Sequence, residues 1–299
     1  MSGNSPNNIL VRVPNWIGDA VMCLPALMDM RERFAQADIT VLARPTIADL
    51  LREQCGIKDV MVYEHRAEHQ GPFGLLRLSW VVRKRAFDMA VLFQNAFEAA
   101  LLAFLSSIPT RIGYATDGRG WLLSHSVPLP PRQALHQIRY YQQLVQAITQ
   151  VPSQERNPKL VVTTNDQFLF QKRFAEVVSA SNTLLVGINP SSVYGSAKRW
   201  LSERFAEVGD RLVEQIHEKY PEFLSVRCVL IGGKGEESLG IEIANQMHTK
   251  PIVLSGQTTI QELMNVLTNC AVLVTNDTGP MHLAQALGVP VVAIFGSTD

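Results

Sequence analysis

The chain has 299 residues, 46% of them hydrophobic, with 27 Lys and Arg balanced by 27 Asp and Glu and only four cysteines. At about 100–200 residues per domain, that length predicts two domains with well-developed cores. A formal net charge of +0 excludes a generally basic nucleic-acid coat and an acidic disordered tail. The balance is uneven, since residues 1–150 hold 15 of the cations and 12 of the acids, leaving the first half basic and the second acidic.

Residues 1–8 are polar and lack a signal-peptide pattern. Short β-branched runs then alternate with amphipathic segments. Strands are expected over 9–13, 39–43, 59–63, 89–93 and 110–114, and helices over 20–34, 46–54, 74–84, 97–105 and about 135–149. The most apolar stretch, 89–109, carries Gln94, Asn95 and Glu98 near its centre, which favours a buried strand and helix over a membrane span. A polar segment with two prolines, 151–158, marks the seam, so domains are expected over 1–154 and 155–299. Beyond it, strands are expected over 184–188, 228–231, 252–254, 271–275 and 291–295, with helices over 202–220, 236–247, 259–269 and 280–287. Thr259 with Glu262 forms a capping-box pattern, Pro280 suits a first helical turn, and Gly288 suits a C-terminal cap.

Alternating βαβα with near-continuous apolar strands predicts parallel sheets covered on both faces, here as two doubly wound domains facing each other. The sequence stops just after the last strand, so its covering helix is expected to lie outside it. Cys23, Cys55, Cys228 and Cys270 are scattered without a Cys-x-x-Cys, as expected of reduced thiols in a soluble cytosolic protein. His65 and His69 have the spacing of a ligand pair but no supporting third ligand.

In doubly wound sheets, ligands sit beyond the carboxyl ends of the strands. Four loops there carry candidate chemistry. In Pro14-Asn15-Trp16-Ile17-Gly18-Asp19, Asp19 reads either as a helix cap or as a general base. In Asn276-Asp277-Thr278-Gly279-Pro280-Met281-His282, Thr278 or Gly279 opens a helix whose N-terminus suits a phosphate; His282 reads as a phosphate donor or a structural hydrogen-bonder. The run from Asn189 through Ser191 and Ser192 to Lys198, Arg199 and Trp200 offers two cations to an anionic leaving group, or simply to solvent, ahead of a helix capped by Ser202. Glycines at 232, 233 and 235 precede Glu236 and Glu237, either of which suits ribose hydroxyls. Together these loops describe group transfer from a nucleotide-linked donor.

The runs Val13-Pro-Asn-Trp-Ile-Gly-Asp-Ala-Val-Met22, Tyr194-Gly-Ser-Ala-Lys-Arg-Trp200 and Thr275-Asn-Asp-Thr-Gly-Pro-Met-His282 resemble glycosyltransferase family 9. Within it, Ile108-Pro-Thr-Arg-Ile-Gly-Tyr114 and Arg119-Gly-Trp-Leu-Leu123 are similar to members that act on the first heptose of the lipopolysaccharide inner core. The resemblance covers essentially the whole chain. It implies a GT-B architecture and inverting transfer of L-glycero-D-manno-heptose from ADP-heptose to heptosyl-Kdo2-lipid A.

By the resemblance, Asp19 is the catalytic base and Lys198 lies at the diphosphate. Asp277, Thr278, Gly279 and His282 match the family's donor-binding loop, and Glu236 aligns more loosely as the ribose contact, with Glu237 an alternative; Ser191 and Ser192 are expected to bind the donor from the loop they share with Lys198. Asn15, Trp16, Asn95, Arg111 and Arg119 fall on the acceptor side. No cofactor, metal or nucleic acid is expected. Relatives carry Asn-Ser-Phe and a following Ser where this chain has Gln94-Asn95-Ala96-Phe97-Glu98, and Asn-Pro-Gly-Ala where it has Asn189-Pro-Ser-Ser192. The helix at 74–84 has an apolar face (Leu75, Leu76, Leu78, Trp80, Val81, Val82) and carries Arg77, Arg83, Lys84 and, just beyond, Arg85. Those cations read either as a solvated side or as contact with an anionic glycolipid at the inner face of the cytoplasmic membrane. A family member with another acceptor, and an inactive two-lobed binding homologue, are the competing readings.

Overall fold

A computed structural model describes residues 5–130, 135–178, 183–192, 198–222 and 225–296. The chain forms two compact units, Met1–Pro158 and Lys159–Asp299. The division falls beyond residue 154 because Arg156 fastens its segment back onto the first unit. Its guanidinium binds the Glu32 carboxylate through two bonds of 2.8 and 2.9 Å and lies 3.5 Å from Asp29.

The first unit is one parallel sheet of β1 (Asn8–Arg12), β2 (Asp38–Ala43), β3 (Asp59–Val62), β4 (Met89–Leu92), β5 (Thr110–Tyr114) and β6 (His125–Val127). The spatial order is β3-β2-β1-β4-β5-β6, so the direction of winding reverses between β1 and β4. Their outgoing loops therefore flank the crevice in which such sheets bind ligands. The central strands β1, β2 and β4 are almost wholly buried, which is why they read as continuous apolar runs.

The single helix expected over 20–34 is two, α1 (Ile17–Met22) and α2 (Leu24–Arg33). They break at Cys23, because Pro25 has no N–H to continue the ladder and its ring favours the start of a new helix. There follow α3 (Pro45–Leu51), α4 (Gly71–Lys84), α5 (Phe97–Leu105), a single 3-10 turn at Gly120–Leu122, and α6 (Gln137–Thr149), which packs on α2.

Helix α4 corrects the sequence reading. Its inward face is Gly74, Leu78, Ser79 and Val82, with Leu75 packed against the core. Leu76, Trp80 and Val81 face outward, on the same side as the cations. Gly74 is obligatory, since a Cβ there would stand 2.2 Å from the carbonyl carbon of His69.

The second unit begins with α7 (Thr164–Arg173) and α8 (Ala175–Val178) and then alternates. Its elements are β7 (Thr183–Asn189), α9 (Ser202–Lys219), β8 (Ser225–Leu230), α10 (Glu237–Gln246), β9 (Ile252–Val253), α11 (Ile260–Thr268), β10 (Cys270–Asn276), α12 (Gly279–Ala286) and β11 (Val291–Ile294). The parallel order β11-β10-β7-β8-β9 again reverses winding beside its first strand, between β7 and β10. Thr259 and Glu262 complete the capping box of α11 at 3.2 and 2.8 Å, and Gly288 after α12 has φ +79°. Ser202 is not a cap: Leu201 occupies the N-cap, and the Ser202 hydroxyl donates to Glu242 at 2.6 Å. The four cysteines are free thiols, and no helix among the described residues is long and apolar enough to cross a membrane.

Candidate active site

At the mouth of the first sheet, β1 hands over to Pro14, Asn15 and Trp16, and Trp16 rather than Asp19 takes the N-cap of α1. Asp19 is the third residue of the helix and half-buried, and its carboxylate makes no hydrogen bond or ion pair among the described residues. The capping reading therefore falls away, although a carboxylate in the first turn still suits the helix dipole. Burial holds the Asp19 pKa above the usual carboxylate range. The negative charge in turn raises the pKa of the buried Tyr141 hydroxyl, already high through burial. An unpaired, partly desolvated carboxylate is well suited to accept a proton.

Asn15 is set by a residue that sequence reasoning passed over. Arg12 ends β1 with only 2% of its surface exposed. It donates to the carbonyls of Val13 and Leu42 at 2.8 and 3.2 Å and to Asn15 Oδ1 at 2.9 Å. Its guanidinium lies 5.3 Å from the Tyr63 ring, and the Tyr63 hydroxyl donates to Glu98 at 2.6 Å. Burial lowers the Arg12 pKa to about 10, against the opposing pull of Tyr63 and Glu98. The signal was present: an arginine closing an otherwise apolar central strand requires partners.

Beside it, the loop after β4 presents Asn95, whose amide donates to the Tyr140 hydroxyl at 2.8 Å. Arg119, expected to touch the acceptor, is fully buried. It donates to the carbonyls of Tyr114 (3.0 Å), Gln94 and Ala96 (3.3 Å) and to Asn95 Oδ1 (3.4 Å). Burial lowers its pKa to about 10. It ties the ends of β4 and β5 together and orients Asn95, without reaching the surface. Arg111 is also turned to structure, donating to the carbonyls of Leu122 (2.7 Å), Ile108 (2.5 Å) and Pro109 (3.2 Å). Trp16 is exposed.

The second unit's crevice is stitched by two asparagines. Asn189 donates to the hydroxyls of Thr275 and Thr278, both at 2.8 Å, and accepts from the Ser191 hydroxyl at 2.7 Å. Asn276 donates to the Pro190 carbonyl at 2.9 Å and accepts from the Trp200 backbone at 3.1 Å. Each amide offers a donor and an acceptor, so it can join the β7 and β10 loops side to side. The Thr278 hydroxyl also donates to the Asn276 carbonyl at 3.3 Å and does not cap α12. The first-turn N–H of Gly279 is thus left without a side-chain cap, while Pro280 contributes no N–H at all.

Lys198 reaches this helix terminus, with Nζ 2.6 Å from Asp277 Oδ2. The Ser192 hydroxyl is buried with no hydrogen-bond partner among the described residues. Arg199 approaches the Ser192 carbonyl at 3.5 Å and Glu236 at 3.6 Å. Glu236, half-buried, accepts from the Gly233 backbone at 2.8 Å, whereas the exposed Glu237 accepts from Gly235 at 3.1 Å. His282 lies in the first turn of α12, partly buried. Val193, Tyr194, Gly195, Ser196 and Ala197 of the same loop lie outside the described residues. No group of three or more His, Cys, Asp or Glu among the described residues is placed to hold a metal ion.

The arrangement is a polar cradle of small side chains, a helix N-terminus and a lysine in one unit, and an unpaired carboxylate in the other. The family model described as glycosyltransferase family 9 (heptosyltransferase) matches residues 75–299. The chain belongs to glycosyltransferase family 9. Along 97% of its length it is 27% identical to lipopolysaccharide heptosyltransferase 2 of Salmonella typhimurium, 83% of which it covers. It is also 27% identical to lipooligosaccharide heptosyltransferase 2 of Haemophilus ducreyi, over 97% of the chain and 84% of that protein.

The solved structure of E. coli ADP-heptose lipopolysaccharide heptosyltransferase II aligns with a TM-score of 0.83 at 25% identity, covering 98% of this chain and 86% of that one. A family 9 structure from Veillonella parvula shares the fold with a TM-score of 0.88 at 21% identity, covering 100% and 84%. This family 9 chain is a glycosyltransferase with the GT-B fold, and the loops at its two sheet mouths are where its chemistry is to be sought.

Proposed function

We propose that this enzyme transfers L-glycero-D-manno-heptose from ADP-heptose, with inversion, to the first heptose of the lipopolysaccharide inner core on Kdo2-lipid A. The observation that carries the reading is the second unit's cradle, where Lys198 Nζ stands 2.6 Å from Asp277 Oδ2 just ahead of the uncapped N-terminus of α12, on a chain similar over 97% of its length to a heptosyltransferase 2 protein.

In the proposed reaction the Asp19 carboxylate takes the proton of an acceptor hydroxyl. That oxygen attacks the anomeric carbon of the donor heptose from the face opposite the nucleotide. The bond to the β-phosphate oxygen breaks and ADP departs with its electron pair. Lys198 and the N–H groups of the first turn of α12, led by Gly279, stabilise the charge that develops on the diphosphate, each such group being worth about 3–4 kcal/mol. The reading needs no metal or cofactor, because these groups supply the countercharge.

Asp277 keeps Lys198 in place until the diphosphate replaces it as the lysine's partner. Ser191, Ser192, Thr278 and His282 line the phosphate end. Glu236 is favoured over Glu237 for the ribose, because it faces Arg199 and the β7 loop while Glu237 turns toward Gly235. Asn15, Trp16 and Asn95 meet the acceptor, with Arg12 and Arg119 as positioning residues behind them. A lipid-linked acceptor makes the enzyme cytoplasmic and peripheral at the inner face of the cytoplasmic membrane.

Two measurements test this reading. Calorimetric titration is expected to rank ADP above UDP and CDP; equal binding of the three would overturn the donor. A panel of deep-core truncated lipopolysaccharides is expected to show transfer only to the acceptor ending in one heptose. Transfer to a different heptose would move the enzyme to another step of core assembly.

A further inference from the structure

The outward face of α4 is unlike that of an ordinary surface helix. Phe73 is 87% exposed, Trp80 59% and Leu76 50%, and Val81 stands beside them. At 100° per residue, Phe73, Leu76, Arg77, Trp80 and Lys84 fall within one stripe, flanked by Val81 and Arg83. The Lys84 ammonium lies 3.3 Å from the centre of the Trp80 ring. The helix contains no acidic residue. Arg85, just past its end, is neutralised by Asp59 at 2.9 Å and does not belong to the set. Burial of Leu78, Ser79 and Val82 beneath already secures the helix to its sheet, so the large apolar side chains outside are not required for folding.

We infer that this face is an interfacial docking surface for a bilayer rich in anionic headgroups. Aromatic anchors interleaved with unopposed cations are what a helix lying in the headgroup layer requires: the rings enter the acyl boundary and the cations meet lipid phosphates. A second copy of the chain fits poorly, because a two-fold contact would set Arg77, Arg83 and Lys84 against their own equivalents. Position supports the assignment. Helix α4 starts from the carboxyl end of β3, so Phe73 lies on the side of the sheet that presents Asn15, Asp19 and Asn95. Gly74, close-packed on the backbone of His69, fixes that end of the helix. Docking here would hold the acceptor mouth next to the surface from which a lipid-linked saccharide projects. This last point rests on the acceptor proposed above; the docking surface does not.

The test is co-sedimentation of the full chain with vesicles, without substrates. Wild type is expected to bind vesicles of phosphatidylethanolamine with about one-third phosphatidylglycerol and not pure phosphatidylcholine, and to release in high salt as screening shortens the range of the charges. The triple variant Phe73→Ser/Leu76→Ser/Trp80→Ser is expected to lose at least about tenfold in partitioning. The variant Arg77→Glu/Arg83→Glu is expected to lose binding to the anionic vesicles. Thermal melts should match wild type for both, since every substituted side chain is exposed. Binding unchanged in both variants, absent in wild type, or equal on neutral vesicles would overturn the proposal. So would wild-type self-association that the triple variant abolishes without any vesicle binding. Transfer to a delipidated acceptor is read separately: its absence with vesicle binding intact would condemn the proposed activity and leave the docking surface standing.

Discussion

Lys198 Nζ stands 2.6 Å from Asp277 Oδ2, a pair joining the loop after β7 to the loop after β10 at the N-terminus of α12. Both side chains are about one-quarter exposed, so the pair is neither a solvated surface bridge nor a buried one. In the proposed function the lysine is a parked cation, held where an incoming diphosphate would take it over. Lys198→Ala is expected to lower kcat by about 10²–10³-fold and to weaken ADP binding in the same preparation. Asp277→Asn should keep the lysine but loosen its placement, with a smaller loss. Steady-state kinetics beside calorimetry with ADP separates the two; an Asp277→Asn loss larger than that of Lys198→Ala would contradict this ordering.

Asp19 leads to a prediction in which activity and stability move oppositely. Asp19→Asn is expected to reduce transfer by about 10²–10⁴-fold while leaving ADP binding unchanged. Burial raises the folded-state pKa of Asp19, so its ionisation penalises the fold at neutral pH. The Asn variant should then be at least as stable as wild type at pH 7. That gain should shrink as pH falls through the raised pKa, where wild type becomes protonated too. In the wild-type pH profile of kcat/KM, the acid limb should fall at a pH above the ordinary aspartate range, because the base must be ionised to act. Urea melts at pH 7 and pH 4, and the kinetic profile, check both.

Arg119 is predicted to be structural first and catalytic only through Asn95. Arg119→Leu withdraws the guanidinium from the carbonyls of Tyr114, Gln94 and Ala96; those of Tyr114 and Ala96 keep backbone donors, and that of Gln94 is left without one among the described residues. The expected cost is about 2–4 kcal/mol in urea unfolding, and KM for the acceptor should rise more than KM for the donor. Equal stability with lost activity would instead make it a direct acceptor contact.

Gly74 offers a purely steric test. Its Cβ position overlaps the His69 backbone, so Gly74→Ala must push the 65–69 loop or the start of α4 aside. A destabilisation of about 1–3 kcal/mol is expected, with transfer to a soluble acceptor retained.

The alternation of strands and helices, the capping box of α11, and the loops after β1, β7, β8 and β10 were legible because each rests on local pattern. What was not legible depended on burial. Arg119 reads as a surface cation until the carbonyls at the ends of β4 and β5 are seen converging on it. Arg12 was passed over for the same reason. The faces of α4 were misread because Leu76, Trp80 and Val81 share hydrophobicity with Leu78 and Val82, and only the packing beneath decides which turn inward. The break at Cys23 followed from Pro25, which local rules could have caught. Strand β6 is three residues at a polar edge, and α7 lacks a strong apolar stripe, so neither carried a periodic signal.

Of all these measurements, the most direct is incubation of the chain with ADP-heptose and mono-heptosylated Kdo2-lipid A, followed by mass spectrometry. The account predicts an acceptor heavier by one heptose, with one ADP released per transfer, and almost none of either with Asp19→Asn. An unmodified acceptor with intact ADP-heptose, or full transfer by the Asp19→Asn variant, would contradict it.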